Sequence, residues 1–130
     1  MICKVCDSPL RYGKVYCSYL CQRADERIAY IERWQAGQET GLHTGSKTLG
    51  VSGHVRTWLM QQNNYACSCC GWDKKHPDDD KPLVEIDHID GDASNNTPCN
   101  LRVLCPNCHS MTSTFRARNK NSKRNRQSPV

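Results

Sequence analysis

The chain has one phenylalanine in 130 residues, and aromatic residues make up only 7% of it. Apolar residues total 37%, too few for a large core, so a chain this polar needs some other staple. It also has no apolar run long enough to span a membrane. The first residues, "MICKVCDSPL", lack the apolar stretch of a secretory signal. These absences point to a cytoplasmic protein, in a compartment where thiols stay reduced. No internal repeat is visible beyond a recurring Cys-x-x-Cys.

Cysteine, by contrast, is abundant, with ten residues. Eight of them sort into two sets. Cys67 and Cys70 form one close pair, followed by Gly71, and Cys105 and Cys108 form its complement. Cys3 and Cys6 form a third pair, and Cys17 and Cys21 a looser fourth. Two close pairs give the tetrahedron of thiolates that structural zinc prefers. The spacing therefore predicts two closed zinc sites that contribute folding energy and leave no coordination position for chemistry. Two such sites would bring the formal charge of +5 down to about +1, so the placement of the basic residues matters more than their sum. Cys69 and Cys99 are left over and read as small unpaired thiols.

Hydrophobic periodicity predicts a helix over about Gln22 to Ala36, with Ile28, Ile31 and Trp34 on one face. The five glycines between residues 37 and 53 mark a linker. Ser52 is placed to cap a second helix, about His54 to Asn63, with Val55, Trp58 and Leu59 inward. Short strands are expected at 83–87 ("LVEID") and 101–104 ("LRVL"). A last helix is expected from Pro106, and "HPDDDKP" between the first cysteine pair and the strands reads as a solvated turn. The organisation expected is a zinc module with helix at 1–36, a linker and helix at 37–64, a metal-site domain at 65–118 and a basic tail at 119–130.

The string "CPNCHS" poses a choice, because Cys-x-x-Cys-His is written by haem attachment sites and by zinc knuckles alike. Cys105 and Cys108 already have partners in Cys67 and Cys70, which argues for zinc and against haem. His109 is then available for a second site.

Between the zinc pairs lie "IDHIDGD", "NNTPCNLRVL" and "CPNCH". These strings, in this order and interleaved with the cysteine pairs, strongly resemble the HNH nuclease family over about residues 65–118. The resemblance implies a small α+β, zinc-stabilised fold, with a ββα-metal core preceded here by an N-terminal four-cysteine zinc module and helices. It also implies phage or mobile-element origin and metal-dependent DNA endonuclease activity. By residue, it gives Asp87 and His109 as ligands of a catalytic divalent metal, His88 as general base, and Asn100 as the group that pins the loop and the base.

The chemistry agrees with that carry-over. Phosphodiester hydrolysis needs an activated water and neutralisation of charge at the phosphate. Asp87 supplies a hard oxygen and His109 a nitrogen. His88, adjacent to Asp87 on a strand, points to the opposite face, and histidine as a residue type suits proton abstraction near neutral pH. The family's further histidine, one turn on, is Ser113 here, so the metal would have two protein ligands. Magnesium, manganese, nickel and zinc all stay open as its identity. Asp90 and Asp92 read as turn residues.

Arg102 and the tail residues Arg116, Arg118, Lys120, Lys123, Arg124 and Arg126 are the candidate phosphate contacts on DNA. The tail is expected to continue from the helix carrying His109. A competing reading keeps the eight cysteines and the tail but makes the chain a non-catalytic, zinc-dependent nucleic-acid-binding protein. Monomer and homodimer stay equally open.

Overall fold

A computed structural model describes residues 1–43 and 50–122 of the chain. It divides into two compact units, residues 1–39 and the residues from 40 onward.

In the first unit, residues 1–18 form irregular turns joined by an isolated bridge between Ile2 and Pro9. Helix α1 then spans Tyr19–Gln35. It starts three residues before the expected Gln22 because Ser18 caps it, its hydroxyl accepting from the Cys21 backbone N–H at 3.2 Å. Cys21 therefore sits on the helix itself. A polar clamp ties the turns to α1. The Tyr16 hydroxyl donates to Asp25 at 2.5 Å, and Lys4 Nζ donates to the same oxygen at 2.9 Å. These two donors, Tyr16 first, hold the Asp25 carboxyl below its ordinary range. Ile31 and Trp34 are buried as expected, but Ile28 is not: it is 56% exposed.

The second unit begins with α2, Gly53–Gln62, capped by Ser52 as expected. Val55 and Leu59 are buried, together with Met60, which takes the place expected for the half-exposed Trp58. Two antiparallel strands follow, β1 at Glu85–His88 and β2 at Leu101–Leu104, the latter at its expected position. Asp87 faces Arg102 across the ladder, and His88 faces Leu101. β1 starts two residues later than the expected 83–87. In this register Leu83 and Val84 would pair with Pro106 and Cys105, where β2 has ended and Pro106 has no N–H to give. Val84, Leu101, Val103 and Leu104 are buried and form the core under the strands.

Helix α3, Pro106–Ser110, has only five residues. The tail is therefore not its continuation, contrary to expectation. After Ser110 the chain turns, makes a short 3-10 turn at Arg116–Arg118, and folds back on the loop after β1. There Asn119 Nδ2 donates to the Gly91 carbonyl at 2.7 Å, and Asn121 Nδ2 to the Asp90 carbonyl at 2.9 Å. Gly91 has φ +77°, and a β-carbon on it would run into the Asn119 side chain, so both its backbone conformation and its contact require glycine.

The burial pattern on α1 gives a direct test. Ile28→Lys should leave thermal stability within about 0.5 kcal/mol, as at ordinary surface positions. Trp34→Ala, at 1% exposure, should cost about 3–5 kcal/mol in chemical denaturation. Equal losses for the two would contradict this placement of the helix.

Candidate metal and active site

Two clusters of cysteine sulfur stand out. Cys3, Cys6, Cys17 and Cys21 form one, Cys67, Cys70, Cys105 and Cys108 the other. In each, the four sulfurs all lie within 4.8 Å of one another. All ten cysteines are free thiols. Neighbouring sulfurs lie 3.4 Å apart at Cys6–Cys17, and 3.6 Å at both Cys17–Cys21 and Cys70–Cys105. A zinc–sulfur bond of about 2.3 Å implies tetrahedral sulfur spacings of about 3.8 Å, whereas a disulfide is about 2.05 Å. The donor sets fit zinc. Cys69 and Cys99 lie outside both clusters and are exposed.

The electrostatics of the clusters point the same way. The Cys6 backbone N–H, foremost, holds the Cys3 thiol down to about 6. Burial pushes Cys67 up, but the N–H groups of Cys105, Cys70 and Cys69 outweigh it and bring this thiol also to about 6. Sharing of protons with Cys6 and Cys21 drives Cys17 up to about 12, and Cys108 is raised chiefly by Cys105. Four thiolates so close cannot all ionise without a cation between them.

The second cluster is wired into the strands. The Ser68 N–H and hydroxyl both donate to the Val103 carbonyl, at 2.9 and 2.8 Å, fastening the Cys67–Cys70 knuckle to β2. Gly71 closes the knuckle at φ +81°, its N–H donating to the Cys67 carbonyl. Cys105 ends β2 and caps α3, its sulfur accepting from the Cys108 N–H at 3.4 Å. One turn on, the His109 N–H donates to the Cys105 carbonyl at 2.9 Å.

That turn delivers His109 to β1. Its Nε2 lies 3.4 Å from Asp87 Oδ1, and its Nδ1 3.3 Å from Glu85 Oε2. Glu85 and Asp87 are two apart on one strand and so share a face. Asp87 is buried and paired, because Arg102 Nε donates to its Oδ2 at 2.7 Å. Arg102, expected as a DNA contact, is thus engaged with its cross-strand neighbour. Glu85 escaped the sequence reading. Its only signal was the spacing of two from Asp87.

His88 is half-buried, and its Nε2 lies 2.7 Å from Asn96 Oδ1. The side chain holding His88 is therefore Asn96, in place of the Asn100 that was expected. Asn100 does pin the loop. It closes the 3-10 turn Pro98–Asn100, and its Nδ2 donates to Asp90 Oδ1 at 2.9 Å and to the Asn95 carbonyl at 2.8 Å. Its Oδ1 accepts from the Asp90 N–H. Burial works against the charge on Asp90, but Asn95, the Asp92 N–H and Asn100 outweigh it and hold the carboxyl below its ordinary range. Asp90 and Asp92 serve the turn, as expected.

Asp87, His88 and His109 line one open cleft of about 520 Å³, together with Phe115, Arg116 and Asn119. The Phe115 ring meets His109 edge-on, centroids 5.3 Å apart, and the Arg116 guanidinium lies 4.9 Å over that same ring. Arg118 and Lys120 are exposed, while Lys123, Arg124 and Arg126 lie outside the described residues. Among the described residues, no helix is long and apolar enough to cross a membrane.

Metal content tests the two clusters. The parent protein should carry two zinc equivalents by mass spectrometry. Cys70→Ser or Cys17→Ser should each lose one, while Cys69→Ser and Cys99→Ser keep both. Zinc must displace the protons of all four thiols in each cluster, so loading should fall as pH drops. Retention of both zincs by Cys70→Ser would contradict the assignment.

Comparison with known proteins finds similarity over part of the chain. Over 56 residues the chain is 41% identical to the H-N-H endonuclease F-TflIV of Escherichia phage T5, a match covering 42% of this chain and 23% of that protein. The phosphorothioation-dependent type IV restriction endonuclease ScoMcrA is 24% identical in its solved structure, with a TM-score of 0.44 over 74% of this chain and 19% of that one. No family model matches. The chain spans under a quarter of the length of the phage protein, and the likeness to that H-N-H endonuclease is confined to the shared segment.

Proposed function

We propose that the protein is a metal-dependent DNA endonuclease, with the divalent ion held by Asp87 and His109 and with His88 as general base. The observation that carries this is the 3.4 Å approach of Asp87 Oδ1 to His109 Nε2 in a cleft that His88 also lines. Ligands about 2.1 Å from one ion sit roughly 3 Å apart, so the pair fits such a site with little adjustment. One buried carboxylate oxygen and one imidazole nitrogen suit magnesium, manganese, nickel or zinc.

A divalent ion held by Asp87 and His109 would supply stabilisation of the charge on the phosphate and the departing 3′ oxygen. The chain's own residues supply the rest. His88 takes a proton from a water as its oxygen attacks phosphorus, and the bond to the 3′ oxygen breaks. Arg102 holds Asp87 Oδ2, which leaves Oδ1 facing His109. Arg116, stacked on Phe115 at the rim, meets a backbone phosphate, and Arg118, Lys120 and the basic residues beyond extend that contact along the duplex. Asn100 keeps the loop between the strands closed. Both sulfur clusters hold structural zinc, consistent with a reducing cytoplasm.

Plasmid cleavage with added divalent metals tests this reading. The parent should convert supercoiled DNA to nicked or linear forms. His88→Ala should lower the rate by about 10²-fold or more, as loss of a general base does, while retaining two zincs. His109→Ala and Asp87→Ala should abolish the metal dependence. Equal cutting by parent and His88→Ala would overturn the assignment of the base. DNA binding with no cutting under any metal would favour the non-catalytic zinc module.

A further inference from the structure

We infer that Asn96 is the positioning residue of the base, fixing which His88 nitrogen carries the proton and so making Nδ1 the atom that accepts one from water. The inference rests on the nuclease reading for its functional half, but its structural half stands on geometry alone.

Asn96 is 1% exposed, among the most deeply buried side chains of the chain. Its Nδ2 donates to the Ala93 carbonyl at 3.1 Å, and its Oδ1 lies 2.7 Å from His88 Nε2. The Ala93 carbonyl can only accept. The reversed amide would set two carbonyl oxygens against each other at that distance, inside a site with little water to relieve them. The amide nitrogen must therefore face Ala93, and the oxygen must face His88.

An amide oxygen also only accepts, so His88 Nε2 must carry a hydrogen. A neutral imidazole has one N–H, which leaves Nδ1 as the bare lone pair. Once Nδ1 takes a proton, the ring is cationic and both nitrogens donate. The buried Oδ1 dipole, already aimed at Nε2, then stabilises the charge without rearranging. A ring tied at one nitrogen also cannot flip and offer the wrong one to the cleft.

Nothing in the string "SNNTPCN" distinguishes Asn96 from the turn residues beside it. Its neighbours Asn95 and Asn100 bond to Asp90 and hold the loop, and Asn96 alone of the three reaches the histidine.

Two variants test the role. Asn96→Leu fills the site but removes the acceptor, and Asn96→Asp keeps an oxygen facing His88 while losing the donor to the Ala93 carbonyl. In ¹H–¹⁵N spectra of the zinc-loaded protein, the parent should show a His88 Nε2–H proton protected from exchange. Asn96→Leu should lose that signal. It should keep both zincs, with KM for DNA within about threefold and kcat lowered by about 10-fold or more. Asn96→Asp should retain the signal and a kcat above that of Asn96→Leu. The proposal is overturned if the signal survives in Asn96→Leu, or if it disappears there with kcat unchanged. It is also overturned if both variants lose rate alike while Asn96→Asp keeps the signal. A parent that shows the protected N–H but cuts no DNA under any metal overturns the nuclease reading instead, and leaves the hydrogen bond standing.

Discussion

The second sulfur cluster is the constraint on which the cleft depends, and Cys105 is its pivot. That one residue ends β2, contributes a sulfur to the cluster, caps α3 and receives the His109 N–H on its carbonyl. Helix α3 has five residues, far too few to hold helical structure unaided. Zinc across Cys67, Cys70, Cys105 and Cys108 would supply that hold. It would set the start of the helix, and one turn on the His109 N–H meets the Cys105 carbonyl. The Ser68 bonds to Val103 fasten the other half of the cluster to the same strand. Strand, knuckle and helix then move together or not at all.

A second, all-polar device holds the other side of the cleft. The loop between the strands is closed by Asn100 on Asp90, and the returning chain presses Asn119 and Asn121 onto the same turn. Buried amide networks of this kind are destabilising when incomplete and rigid when satisfied. Here the bonds from Asn95, Asn100 and the Asp92 N–H hold the Asp90 carboxyl below its ordinary range and shape the loop. Asp87 is handled differently. Arg102 takes one of its oxygens, and the other is turned to His109.

The chain disclosed its cysteine clusters far more openly than its packing. Cysteine pairs must be close in sequence for both sulfurs of a turn to reach one ion, so both clusters were legible from spacing. Asp87, His88, Asn100 and His109 were legible because their order between the zinc pairs resembles a known family. What was hidden depends on register. Glu85 reaches His109 only because β1 runs to His88, and the start of β1 is decided by Pro106 at the far end of its partner. Asn96 reaches His88 only through the particular path of a loop whose residues all read as turn formers. Ile28 kept the helical period of Ile31 and Trp34 yet lies at the edge of the buried stripe. The tail's basic residues were visible as charge, while its return onto Gly91 was not, because asparagines give no periodicity to read.

The central claim is that a cysteine-built staple places Asp87 and His109 to share a third metal. Anomalous diffraction from crystals soaked in manganese or nickel tests it most directly. The account predicts two zinc peaks within the sulfur clusters and a third peak, of the added metal, bonded to Asp87 Oδ1 and His109 Nε2. A third peak held by sulfur, or His109 found as a ligand of the Cys67–Cys108 zinc, would contradict it.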